Sequence, residues 1–197
     1  MLFSKIFAGI ALASTAMAAA TPQQIADGIK SITQKSQALQ GPAQSITILN
    51  APLIVIGQGP FPQIIAGFTD IVSTATVLAS QLPGTAPIQK RAEKEHARDI
   101  SARGADADLV FDAFREFVRV HQVLLNILIG KAGILEQIPV IGQPVATVLR
   151  QVEGVVDTIA ITLINLTEAR ANDISSQADS LGNTLDLAIS KYEGIGA

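Results

Sequence analysis

Between Asp106 and Ile129, the residues Val110, Phe114, Phe117, His121, Leu124 and Leu128 recur at alternating spacings of three and four. At about 3.6 residues per turn these positions draw one continuous stripe along a helix. Phe111, Val118 and Leu125 widen the stripe, while Asp112, Arg115, Glu116, Arg119 and Gln122 take the opposite face. Beyond His121 the segment is apolar on almost every side, through Val123, Ile127 and Ile129. A helix of that kind needs apolar neighbours around it, so the rest of the chain is expected to pack about this stretch.

The same period runs through most of the remaining sequence. Thr21-Pro22 opens a helix, with Thr as N-cap and Pro in the first turn. Its face is Ile25, Ile29, Ile32 and Leu39, and Gly41-Pro42 is expected to stop or kink it. The segment Ile46 to Ile56, interrupted by Pro52, reads as irregular helix, and Gly57-Gln58-Gly59-Pro60-Phe61-Pro62 is a cluster of breakers. No lysine follows those glycines where a phosphate-binding loop needs one. Helical period returns from Gln63 to Leu82 and from Val145 to Arg170, and a last helix begins at Asp173. Gly130 and Gly133 are expected to weaken or bend the chain beyond the central helix, ahead of a loop from Pro139 to Pro144. With no strand pair in sight, the pattern predicts an all-α, single-domain bundle of five or six helices, residues 21–197, with scope for an apolar cavity between them. The central helix is expected to lie against the helices at 63–82, 145–170 and 173–192 and to wall that cavity.

The N-terminus reads as a secretory signal. Lys5 supplies the positive charge, Ile6 to Ala13 the short apolar run, and Ala16-Met17-Ala18 the small-residue site for cleavage after Ala18, with Ala20 a close competitor. The run is too short to span a bilayer, which takes about 20 apolar residues, and no transmembrane segment is expected in the mature chain. The protein is therefore expected to be secreted, extracellular or associated with the cell wall. Having no cysteine, it must be held together by packing alone, since disulfides and thiolate chemistry are both ruled out. A formal net charge of −3 speaks against nucleic acid as a partner. Charge is concentrated in one place: Lys90 to Asp108 carries five basic and five acidic residues. The stretch 85–104 thus reads as a mobile, solvated connection with room for one turn of charge-laced helix, with His96 solvated within it and Lys90-Arg91 a candidate processing site.

Candidates for chemistry are few. Two histidines cannot build a metal site unaided, and no Gly-x-Ser-x-Gly nucleophile elbow is present. No catalytic residue, metal or cofactor is expected, and the chain does not read as an enzyme. His121 falls between Phe117 and Leu124 in the apolar stripe, so its ring should face inward. Two roles suit it there: a neutral core histidine bonded to a carbonyl or side chain, or a polar contact for a ligand head group. Ser73 or Thr76 could supply a further hydroxyl. Phe68, Phe114, Phe117, Leu124, Val152, Val156 and Leu185 are the candidate lining. Asn165-Leu166-Thr167 is an N-glycosylation sequon, with Asn165 as the acceptor.

Ile29-Lys30-Ser31-Ile32-Thr33-Gln34-Lys35-Ser36-Gln37-Ala38-Leu39 and the paired final helices resemble the fungal hydrophobic surface-binding protein A family, which is related to cell-wall galactomannoproteins. Those helices carry Ala178-Asp179-Ser180-Leu181 and Ala188-Ile189-Ser190-Lys191-Tyr192. The likeness runs from Ile25 to Gly194. It implies a secreted helical bundle, mannoprotein-like, that binds hydrophobic surfaces or holds a fatty acid between its helices. It also implies, as an alternative, recruitment of a secreted polyester hydrolase to its substrate. The chain departs from the usual members in its Ile- and Val-rich core, which leaves less room for a ligand, and in the charged insert at 85–104.

Overall fold

The computed structural model describes residues 19–88, 97–136, 138 and 141–195. The candidate signal at 1–18 lies outside these, as do Lys90, Arg91 and His96. Five helices follow one another: α1 Pro22–Gln44, α2 Pro60–Gln81, α3 Ala97–Leu135, α4 Gly142–Leu166 and α5 Ala171–Glu193. Short 3-10 turns, Ala51–Ile56 and Glu168–Arg170, precede α2 and α5. The fold is the expected all-α bundle.

Each helix buries the stripe that its sequence marks. On α3, Val110, Phe114, Leu124 and Leu128 are fully enclosed, and so are Val118 and Leu125 on the widened side. The polar face folds onto itself, with Arg119 on Glu116 and Arg115 on Asp112. Thr21 caps α1 by accepting a hydrogen bond from the Gln24 amide, and the Gln24 side chain bonds back to the Thr21 amide. This reciprocal box satisfies two donors that a helix start leaves open. Gly59, at φ 84°, makes the turn into α2, a conformation that a side chain would strain.

Several helix ends differ from the sequence reading. α1 continues through Gly41 and Pro42 to Gln44, because Ala43 and then Ile46 are buried and carry its stripe onward. α3 passes Gly130 and Gly133 without stopping, since Ala132 and Leu135 continue the buried face. Its start at Ala97 makes the end of the charged stretch part of a long helix, more than the single turn expected there. The beginning of that stretch is also tied down: Thr85 accepts from the Ala20 amide, and Ile88 donates to the Leu166 carbonyl at 2.6 Å. α4 ends at Leu166 rather than at Arg170, where Thr167 leaves helical geometry (φ −123°, ψ 64°).

The packing order around the bundle is α1, α2, α4, α5, α3 and back to α1, a closed ring in which each helix leans chiefly on two neighbours. The expected flanks of α3 therefore need correcting. Its neighbours are α1 and α5, whereas α2 and α4 face it across the interior. Polar contacts set the directions. Ser36 and Gln40 on α1 meet His121 and Val120 on α3, and Lys131 donates to the Ile46 carbonyl, so α1 and α3 run parallel. Gln122 bonds Ser180 and Thr184 on α5, and the Tyr192 hydroxyl donates to the Leu128 carbonyl, so α3 and α5 are parallel too. α2 and α4 run the other way. Pro60–Gln81 and Gly104–Leu135 are long and apolar enough to cross a membrane, but both turn their stripes into this ring.

The two ends of the ring are unlike. At one end, Arg170 holds Asp108 and Asp173, and its guanidinium stacks on one face of Phe111. At the other end lies the connection between α1 and α2, where Ile48, Leu49, Leu53 and Ile56 stand exposed. No Asp, Glu, Lys or Arg occurs anywhere from 36 to 69.

Candidate functional site

The interior of the ring is the candidate site. All eight residues expected to line it are buried: Phe68 from α2; Phe114, Phe117, His121 and Leu124 from α3; Val152 and Val156 from α4; and Leu185 from α5. Within this interior, between α1, α2, α3 and α4, is a small, entirely apolar cavity of about 10 Å³. Phe114, Phe117 and Val156 line it; Phe68, His121, Leu124, Val152 and Leu185 pack in the core around it without reaching it. Ile29, Ile32, Ala75 and Ile159 complete the lining. They belong to the stripes of α1, α2 and α4, but only the ring order shows that those stripes converge on one point. A void of this size holds about one water at most, and an apolar lining gives that water nothing to bond.

One polar pair interrupts this interior. His121 is fully buried, and its Nδ1 lies 2.8 Å from Ser36 Oγ. Ser36 Oγ also bonds the Ile32 carbonyl, one turn back on α1, at 3.1 Å. The sequence signal for Ser36 was a gap. In the stripe Ile25, Ile29, Ile32, Leu39, the position between Ile32 and Leu39 is a serine, and it meets the polar member of the α3 stripe. The expected hydroxyls, Ser73 and Thr76, face outward on α2 instead, and Thr76 bonds its own helix at the Val72 carbonyl.

The other imidazole nitrogen, Nε2, is buried and without a hydrogen-bond partner among the described residues. The Phe117 ring sits 5.3 Å from the imidazole, centre to centre, and the Phe68 ring meets it edge-on at 6.1 Å. Burial drives the imidazole pKa down from 6.5 to about 4, so at neutral pH the ring carries no charge. A charged imidazolium here would lack the solvation or partner that it needs.

Outside the ring, Glu153, Asp157, Asp179 and Asp186 line an open groove between α4 and α5. Desolvation, and then Asp186 and Asp157, raise the Glu153 pKa. Among the described residues no group of His, Asp or Glu is arranged to hold a metal ion. Asn165 is exposed on the last turn of α4, while Thr167 of the sequon is buried and bonds the Leu163 carbonyl.

No protein-family model matches the chain, and no curated protein matches it in sequence. Its fold does match a solved structure, that of ligand binding domain 2 of the Penicillium marneffei MP1 protein, determined in complex with multiple arachidonic acids. The two superpose with a TM-score of 0.57 at 12% identity, over 85% of this chain and 93% of that domain. The five-helix bundle thus shares its architecture with a helical domain that binds lipid.

Proposed function

We propose that the protein is a secreted, non-enzymatic binder of fatty-acid-like lipids, taken up between the helices of its ring. The observation that carries this reading is the fold shared with a domain that holds arachidonic acids, joined to an interior whose buried side chains, among the described residues, are apolar except for Thr33, Ser36, His121, Thr167 and the Tyr192 hydroxyl. The energetics need no special residue. Each buried methylene contributes about 0.8 kcal/mol, so twelve give roughly 10 kcal/mol before the costs of association and of parting the core. Ligand pockets usually exceed about 300 Å³, so the cavity must widen by moving side chains.

The test is to recover the secreted protein under native conditions and seek co-purifying fatty acid by mass spectrometry. Added palmitate at about 100 times its Kd should raise Tm by roughly 5–10 °C. No lipid and no shift would refute internal binding. A chromogenic ester should not be turned over.

The second reading is adhesion to hydrophobic surfaces without an internal ligand, in the manner of the hydrophobic surface-binding protein A family, with recruitment of a secreted polyester hydrolase as its use. The exposed Ile48, Leu49, Leu53 and Ile56 on an uncharged stretch favour it. Apolar side chains clustered in this way normally mark an interaction site. Leu49→Ser with Ile56→Ser should abolish adsorption to hydrophobic beads and leave stability within about 0.5 kcal/mol. Unchanged adsorption would remove the connection from consideration.

A further inference from the structure

We propose that His121 Nε2 is a hydrogen-bond acceptor for the head group of an aliphatic ligand that brings its own proton, either a long-chain alcohol or an undissociated carboxylic acid. This rests on the reading of the ring as a lipid site and specifies its chemistry.

The argument turns on where the protons of the Ser36–His121 pair lie. Ser36 Oγ has a single proton and two partners, the Ile32 carbonyl at 3.1 Å and His121 Nδ1 at 2.8 Å. A carbonyl can only accept. Both contacts are therefore hydrogen bonds in one arrangement alone: Ser36 donates to Ile32, and Nδ1 carries the imidazole proton and donates to Ser36 Oγ. A neutral imidazole with its proton on Nδ1 presents a bare lone pair at Nε2, and this is the buried atom without a partner. No other polar atom of the described residues bonds this nitrogen.

The position of the pair fits such a ligand. Ile32, whose carbonyl anchors Ser36, and Phe117, whose ring lies against His121, both also line the apolar cavity. A ligand that displaces Ile32 or Phe117 as it widens the cavity would thus disturb residues in direct contact with this pair. Its tail would meet only apolar groups, and its head one acceptor. A carboxylate offers that acceptor no proton and would be buried as an uncompensated charge, which is costly. An ester is likewise only an acceptor.

Two experiments test the assignment. The first compares 1-hexadecanol with methyl palmitate for binding to the full chain, by displacement of a fluorescent fatty-acid probe. The alcohol should bind about tenfold more tightly, as one well-made buried hydrogen bond allows. In His121→Phe the two should become equal. Equal affinities in the unaltered protein, or a preference that survives His121→Phe, would overturn the assignment while leaving lipid binding intact. Failure of both ligands and of palmitate to bind would overturn the lipid reading and this site with it. The second experiment needs no variant. A long-range 1H–15N spectrum of the imidazole should show the proton on Nδ1, and hexadecanol should shift the Nε2 resonance where methyl palmitate does not. A proton found on Nε2 in the free protein would refute the proposal outright.

Discussion

Among the described residues two aromatic rings with polar atoms are buried, and they are treated in opposite ways. Tyr192, near the end of α5, is wholly enclosed, and its hydroxyl donates to the Leu128 carbonyl on α3 at 3.0 Å. Nothing about it is left over: the one proton it can give is given, and burial lifts its pKa well above the ordinary 10. His121, about two turns away along α3, is just as deeply buried but is half satisfied, with Nδ1 paired to Ser36 and Nε2 bare. A residue that serves the fold alone is finished in this way at Tyr192. The incomplete ring is the one beside the cavity, and an unmet buried acceptor costs about 1–3 kcal/mol. That difference identifies where stability has been given up within an otherwise well-packed interior.

The largest expected effect tests the surroundings of His121. Phe117→Ala removes the ring that both lines the cavity and lies against the imidazole, and should cost about 3–5 kcal/mol in urea unfolding. If the cavity is a lipid site, saturating palmitate should restore much of that loss; restoration by no lipid would make the region ordinary core. Titration with acid comes next. His121 has a folded pKa of about 4 against 6.5 in the unfolded chain, so between those values the unfolded chain binds the extra proton. Its contribution is fully present above pH 6.5 and is lost as pH falls to about 4, roughly 3 kcal/mol in all. Tyr192 has the opposite sign. Its raised pKa makes its contribution present below pH 10 and lost in stronger alkali. Chemical denaturation across pH should show both edges, and His121→Phe should flatten only the acidic one. Tyr192→Phe should then cost about 1 kcal/mol, the net worth of a finished hydrogen bond. The smallest change is expected from the double variant Ser36→Ala with His121→Phe. Removing both partners should leave stability within about 1 kcal/mol of the original, or improve it. A loss of several kcal/mol would show that the pair serves the fold as Tyr192 does.

The helices and their inward faces were legible because burial follows the period of about 3.6 residues, and the eight residues nominated as lining are buried, while the hydroxyls of Ser73 and Thr76 lie on the exposed side of α2. Their ends were less so. Gly130, Gly133 and Pro42 are poor helix residues, but propensity is a weak prior, and the buried Ala132, Leu135 and Ala43 outweigh them. The ring order was not legible at all. Nothing local tells α1 that its main partner is α3 rather than the next helix, and so the lining from Ile29, Ile32 and Ile159 was missed. Ser36 could have been found, as the one polar position in an apolar stripe that faces another such stripe.

The parallel pairing of α1 with α3 bears on how the protein comes together. Ser36 and His121 are separated by 85 positions in the chain. Contacts that distant are entropically slow to form, whereas α1 with α2, and α4 with α5, are consecutive in sequence. Two antiparallel hairpins should therefore assemble early and independently, with α3 as the keystone that docks last between them. Because α3 carries His121, Phe114 and Phe117, the Ser36–His121 pair and the cavity lined by Phe114 and Phe117 form only when those two halves are joined.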